Sequence, residues 1–353
     1  MVLVSVLIPS YNHEKFISET IESVLNQNFR DLELIIIDDY SSDKSPEIIK
    51  KYKEIDDRIK VFFHNENKGI SKTENELINL ARGKYIAFLN SDDIWREDKL
   101  EKQLKVLEEN ENLIIWTEGE IIDKNSKPIG KKFTQKYNSL RKKMSGNIFE
   151  ELLHDNIIFF ASLMFKRENL GSLRFNEKFN VINDYQLEVA LAKNYDYFFI
   201  SEPLAMYRLH DYNTIYSENR APIEKEYILI SKLFLEKYSE DIPNRIKLHL
   251  YKRIINLSIS IANEKSIGTN TYNSFKFDPF RFIYNIKNKN LRIISLIYAK
   301  RRIYFALNRI LSISLKKFII TLSTVIRFKG VSKSLMFWVN LFIFLYIKQF
   351  LHK

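Results

Sequence analysis

Short apolar runs alternate with amphipathic stretches through the first 110 residues. Val2–Ile8, Leu32–Ile37, Lys60–Phe63 and Tyr85–Leu89 are rich in Val, Ile, Leu and Phe and predict strands. Lys15–Gln27, Ser45–Lys53, Ser71–Arg82 and Glu97–Glu109 carry helical spacing of apolar positions. Pro46 falls in a first helical turn, where the missing N–H does no harm, and Gly83 is expected to cap the end of the third helix. A βαβ series with short connections predicts an α/β fold, a doubly wound and mostly parallel sheet.

The middle of the chain is less regular. Leu113–Ile122 and Pro128–Phe133 predict a hairpin across Asp123–Lys127. Asn147–His154 and Asp184–Lys193 read as helices, and Phe159–Phe165, Tyr195–Ile200 and Leu204–Leu209 as extended segments. Beyond Ala221 the pattern turns helical, at Ile223–Tyr238 and Asn244–Asn263, and Ile267–Pro279 is polar and reads as a linker. The expected organisation is a nucleotide-binding catalytic domain over 1–220, a helical extension and linker over 221–280, and a basic helical region over 281–353.

Charge sharpens that division. The net charge is +11, yet residues 281–353 hold 15 Lys and Arg and no acid. The first 280 residues hold 40 basic and 44 acidic side chains, so the whole positive excess lies in the tail. Apolar blocks alternate there with Lys300-Arg301-Arg302 and Lys316-Lys317, and Leu335–Ile347 is broken only by Asn340. As a helix that block spans ~20 Å, short of a ~30 Å hydrocarbon core. It suits a helix lying in the interface of an anionic membrane, where each nearby Lys or Arg adds about 1 kcal/mol. Nucleic acid is not expected, because the apolar faces need burial in lipid or protein. The apolar N-terminus lacks a basic leader and reads as a strand rather than a signal peptide. No cysteine is present, which excludes disulfides and thiolate zinc sites.

Candidate chemistry sits at strand ends, where open α/β sheets bind ligands. Asn90-Ser91-Asp92-Asp93 closes the fourth strand, and its two carboxylates are hard oxygen donors suited to Mg²⁺ or Mn²⁺ carrying a diphosphate. Pro9-Ser10-Tyr11-Asn12 closes the first strand and Asp38-Asp39 the second. Each has an ordinary alternative, since Ser, Asn and Asp also serve turns and helix caps. His13 reads as an exposed residue at a helix start.

Four segments in order, VSVLIPSYN, LIIIDDYSSD, NKGISKTEN and RGKYIAFLNSDDIW, resemble the family 2 glycosyltransferases, inverting enzymes of the GT-A fold. The resemblance extends to about His210. It implies that Pro9, Ser10, Tyr11, Asn12, Asp39, Gly69 and Asp92 hold the donor nucleotide, and that Asp92, Asp93 and His210 hold the metal. In Asn183-Asp184-Tyr185 it implies that Asp184 is the general base, and in Tyr207-Arg208-Leu209-His210 that Arg208 and His210 meet the diphosphate. Departures are Asn90 for Asp, Glu74 for Arg and Asn183 for Glu. Phe159 and Phe160 fall where the family builds its acceptor side, although core packing is the commoner use for such residues and the one expected for both.

The resulting expectation is a metal-dependent inverting glycosyltransferase using a nucleotide sugar, by resemblance a UDP-sugar. The acceptor would be a glycan or lipid-linked glycan of a surface polysaccharide, and the enzyme peripheral on the cytoplasmic face of a bacterial cell membrane. An inactive membrane-bound sugar-nucleotide-binding scaffold is the non-enzyme alternative. A nucleotidyltransferase is disfavoured because Pro9–Asn12 lacks the Gly and Lys of a phosphate loop. Sugar, linkage and oligomeric state are not readable from the sequence.

Overall fold

The apolar runs of the first half form β1 (Val4–Ser10), β2 (Leu32–Asp38), β3 (Ile59–Phe63) and β4 (Tyr85–Phe88), joined through α1 (Ile17–Leu25), α2 (Ser45–Ile55) and α3 (Ile70–Leu80). This computed structural model describes residues 2–136, 142–211, 213 and 220–265, together with 286, 291, 292, 295, 296, 298 and 299. All seven residues of β1 and of β2 are buried. That follows from a parallel sheet covered on both faces, whose strands must be apolar throughout. Leu7, Ile35, Ile37, Ile86 and Phe88 enter one core, and Val4, Val6, Ile8, Leu34 and Ile36 the other. The period-2 alternation of strand side chains makes this division. Each such side chain contributes about 1.5–3 kcal/mol on burial.

After β4 come β5 (Ile94–Trp95), α4 (Lys99–Glu109), β6 (Ile114–Ile122), β7 (Pro128–Lys132), α5 (Phe133–Lys136), α6 (Phe149–His154), β8 (Met164–Lys166), α7 (Asn183–Ala192) and β9 (Tyr197–Arg208). The sheet order is β3-β2-β1-β4-β8-β6-β9-β5, with β7 paired to β6. Its first half is parallel, while β8 runs antiparallel to both β4 and β6, so the second half is mixed. The hairpin expected across Asp123–Lys127 is present.

Three local expectations are corrected. Tyr195–Ile200 and Leu204–Leu209 belong to one strand, β9, whose pairing with β6 shifts register opposite Thr117–Gly119 and so absorbs Pro203. Within Phe159–Phe165, residues Phe160–Ser162 form a 3₁₀ turn and only the end joins β8. Gly83 does not cap α3, which ends at Leu80 with Ala81 extended. A Cβ on Gly83 would lie 2.6 Å from the Ser5 backbone nitrogen and 2.9 Å from the Tyr85 carbonyl oxygen. Its glycine is therefore required by the close approach of the β4 entry to β1. Gly83→Ala is expected to cost about 1–3 kcal/mol of stability by backbone displacement, read as a lower midpoint in chemical denaturation.

The first compact unit runs from Met1 to Leu257, well beyond the expected boundary at 220. The reason is α8 (Ala221–Lys237), whose Ile230 and Phe234 pack in the core that also holds Tyr185 and Leu187 of α7. A last helix, α9 (Asn244–Lys265), adds Ile246 and Leu250 to that core. The remainder, Ser258–Lys353, forms the second unit. The expected linker and basic tail lie outside the described residues, apart from the seven positions named above. Among the described residues no helix is long and apolar enough to cross a membrane.

Candidate active site

The strand-end acids meet the end of β9 because β5 pairs with it, Ile94 opposite Met206 and Trp95 opposite Ala205. The turn between β4 and β5 is closed by the Asp93 N–H donating to the Asn90 carbonyl at 3.2 Å, and Thr20 Oγ1 donates to the Ser91 and Asp93 carbonyls. Asp92 and His210 thereby come together, with Oδ2 and Nε2 2.9 Å apart. Asn213 fixes the histidine segment: its Oδ1 accepts the His210 N–H at 2.7 Å, and its Nδ2 lies 3.4 Å from Asp92 Oδ2.

His13 joins this pair. One ligand atom each from His13, Asp92 and His210 lie within 4.8 Å of one another. The His13 ring is only partly accessible, hydrogen-bonds to Ser91 Oγ through Nδ1 at 2.7 Å, and stands edge-on to His210 at 5.6 Å. Burial is the main cause of a lowered His13 pKa, so the ring favours its neutral form. Desolvation pushes the Asp92 carboxyl upward, but the His210 hydrogen bond and the charges of His13 and His210 outweigh it and hold the carboxyl below its ordinary value.

Asp93 is placed differently from the sequence expectation. Its Oδ1 accepts the Arg208 N–H at 3.0 Å and its Oδ2 accepts from Asn90 Nδ2 at 3.0 Å. Burial, and then the neighbouring Asp92 charge, raises its pKa well above the carboxylate range. Asn90 is thus a donor to Asp93. Arg208 is likewise turned inward. Its Nε donates to the Asp92 carbonyl at 2.7 Å, and its two terminal nitrogens to Ser126 Oγ and Glu19 Oε2 at 2.7 and 2.6 Å. This buried fork braces the Asp92 turn against α1.

The residues expected on the nucleotide side form a tied pair of loops. Pro9 lies in β1 opposite Ile37, and Ser10 Oγ donates to Asp38 Oδ2 at 3.1 Å. Asn12, at φ +54°, accepts the Ser42 N–H at 2.8 Å. Asp38 accepts the Ser41 N–H and hydroxyl at 2.9 and 2.7 Å. Tyr11 is 47% exposed, and beyond the loop Tyr40 at φ +66° is 58% exposed. Asp39 accepts the N–H groups of Lys68 and Gly69, each at 2.8 Å, and pairs with His64 Nδ1 at 2.7 Å. It anchors the start of α3, where Gly69 takes the positive φ of 86°.

Asp184 lies in the first turn of α7, one residue inside the helix rather than at its cap, and its Oδ1 accepts the Tyr185 N–H at 2.7 Å. It keeps partial solvent access, yet the protein around it raises its carboxyl to about 6, chiefly by desolvation and further by the Glu226 charge. The loop before it is held from two sides. On one side Ser71 Oγ donates to the Phe179 carbonyl at 2.5 Å, and Asn75 exchanges bonds with the Phe175 backbone at 3.0 and 2.8 Å. Glu74 accepts from Asn183 Nδ2, so two departures from the family pattern meet each other. On the other side Glu226 of α8 accepts the N–H groups of Asn180, Val181 and Ile182 at 2.8, 2.9 and 3.0 Å. Sequence reasoning missed His13 and Glu226. The position of His13 directly after the first strand-end loop was the only local signal. For Glu226 there was none. Phe159 and Phe160 are core residues, on opposite sides of the sheet.

Comparison with known proteins fits this geometry. The family model "Glycosyl transferase family 2" matches residues 5–171, which take in β1 through β8 and the Asp92 turn. A Bacillus subtilis protein, TuaG, whose name assigns it provisionally as a teichuronic acid biosynthesis glycosyltransferase, is 33% identical over 234 residues, 65% of this chain and 88% of TuaG. Two solved structures share the fold. S. aureus TarS 1–349 in complex with UDP-GlcNAc has a TM-score of 0.55 at 18% identity, covering 83% of this chain and 79% of that one. The mannosyltransferase PcManGT of Pyrobaculum calidifontis, in complex with GDP-Man and Mn²⁺, has 0.53 at 16%, covering 85% and 86%. With a third of the aligned residues identical across 88% of a named glycosyltransferase, and strand-end acids on a GT-A sheet, the chain belongs to glycosyltransferase family 2.

Proposed function

We propose that this glycosyltransferase moves a sugar, with inversion, from a UDP-linked donor to a hydroxyl of a glycan or lipid-linked acceptor in surface polysaccharide synthesis. The observation that carries the reading is Asp184, a partly accessible carboxylate whose environment raises it to about 6. A base poised near the working pH accepts the acceptor's proton as its oxygen attacks the anomeric carbon. The attack comes opposite the leaving diphosphate, and a single displacement without an enzyme nucleophile inverts the centre. Tyr11 is available to stack on the base of the donor. The resemblance of this chain to TuaG supports the polysaccharide assignment.

The residues fit a divalent ion. Asp92 and His210 offer a carboxylate oxygen and a ring nitrogen at contact distance, and His13 adds a third donor. When bound, such an ion neutralises charge developing on the departing diphosphate. The chain's own part is to hold these donors, through Ser91, Asn213 and the Arg208 brace.

Release of UDP from a panel of UDP-sugars with Mn²⁺ or Mg²⁺ tests the reading. Turnover with one of them is the expected result. Nucleotide binding without turnover across the panel would favour the scaffold alternative. For the tail, removal of residues 281–353 is expected to abolish co-sedimentation with anionic vesicles, since the tail carries the whole positive excess. Unchanged co-sedimentation would remove the membrane assignment.

A further inference from the structure

The ring of His13 sits where nothing in its own segment demands a histidine. Its backbone N–H donates to Ser45 Oγ at 3.0 Å, a contact any residue could make. The side chain packs against Phe16 at 6.0 Å and against His210 at 5.6 Å, while Phe16 lies 4.5 Å from His210. One phenyl ring thus orients two imidazoles toward the same carboxylate. We propose that His13 is a metal ligand, completing with Asp92 and His210 a site of two imidazoles and one carboxylate. Such a site binds a divalent transition ion, Mn²⁺, Co²⁺ or Zn²⁺, without nucleotide and in preference to Mg²⁺. The proposal rests on the metal-dependent reading above and goes beyond it in the ligand set and the ion class.

The spacing permits it. Ligand bonds of about 2.0–2.3 Å place donors about 3–4 Å apart, and the three ligand atoms here lie within 4.8 Å of one another. Small side-chain rotations close the set. The outer contacts are those a ligating histidine needs. Ser91 Oγ, 2.7 Å from His13 Nδ1, can accept a hydrogen bond from Nδ1–H, the tautomer in which Nε2 carries a lone pair for a metal. Asn213 braces His210 through its main chain.

The donor count sets the ion. Asp93 would supply a second hard oxygen if it faced the cluster, but both of its oxygens are taken up by Arg208 N–H and Asn90 Nδ2. With one carboxylate and two ring nitrogens, the set departs from the all-oxygen shell that Mg²⁺ requires and suits transition ions that accept imidazole ligands. Three protein donors also reduce dependence on diphosphate oxygens for retention. A site built on Asp92 and His210 alone would need the nucleotide to complete it.

Pulsed EPR of Mn²⁺ on the nucleotide-free full-length protein tests this without relying on activity. The expected spectrum shows ¹⁴N coupling from two imidazoles, and Mg²⁺ in large excess does not displace the ion. His13→Gln is expected to leave one coupled nitrogen and to weaken Mn²⁺ and Co²⁺ binding about tenfold or more. His210→Gln serves as the parallel loss of the other ring. A single coupled nitrogen in the unsubstituted protein overturns the proposal, and that measurement needs no variant to fold. Binding that appears only after UDP is added, or ready displacement by Mg²⁺, also overturns it while leaving metal dependence intact. Full turnover in the presence of chelator, with no ion bound under any condition, would bring down the metal-dependent reading itself.

Discussion

Asp184→Asn is expected to lower kcat by about 10²–10⁴, the range general base catalysis supplies. The amide keeps the size of the side chain and still offers an oxygen to the Tyr185 N–H, so helix α7 should remain in place. What it lacks is the capacity to take a proton. The pH profile provides a second reading. The carboxyl is raised to about 6 by desolvation and by Glu226. Below that pH the folded enzyme holds Asp184 protonated and idle. The rate should therefore rise about tenfold per pH unit up to roughly 6 and then level. The acid limb should vanish in Asp184→Asn. A variant with normal turnover, or one with an unshifted acid limb, would mean that another group is the base.

The second large effect is expected at Asp92. Asp92→Ala removes the carboxylate that meets His210, and with it the one acidic donor of the cluster. Losing several kcal/mol of charge stabilisation on the leaving group corresponds to about 10²–10³ or more in kcat. The stability cost should be modest, about 1–3 kcal/mol, from the buried partners left on His210 and Asn213. Asp93→Ala is expected to behave in the opposite way. It withdraws the acceptor for the Arg208 N–H and for Asn90, so its main effect should be a lower melting temperature. Kinetics and melting curves on the pair separate the roles. If Asp93→Ala lost metal response with an unchanged melt, the assignments would have to be exchanged.

These two residues show how far the sequence carries. The parallel half of the sheet was legible because β1 and β2 are buried on both faces, which forces continuous apolar runs. The end of β4 was readable as a candidate ligand site because open α/β sheets bind ligands outside the carboxyl ends of their strands. Direction was not legible. Adjacent residues in a turn point different ways, so Asp92 meets His210 while Asp93 meets Arg208, and no spacing rule distinguishes them. Ile94–Trp95, the two-residue strand that brings His210 to Asp92, is too short to give a periodic signal. The resemblance placed Arg208 beside the diphosphate through the Tyr207-Arg208-Leu209-His210 element. Its actual partners, Glu19 and Ser126, are 189 and 82 residues away. Glu74 and Asn183 looked like separate departures until their hydrogen bond joined them.

The three N–H groups gathered by Glu226 have a consequence for the order in which this enzyme comes into being. Every strand of the sheet precedes that residue in the chain. A ribosome that has delivered β1 through β9 and the following His210–Asn213 segment has supplied every residue proposed for the donor side, yet the segment carrying Asp184 still lacks one of its two supports. The nascent protein would hold its nucleotide side before it could deprotonate an acceptor. Competence for transfer would then arrive only with α8, late in synthesis, and a fragment cut just before α8 would remain in that unfinished state.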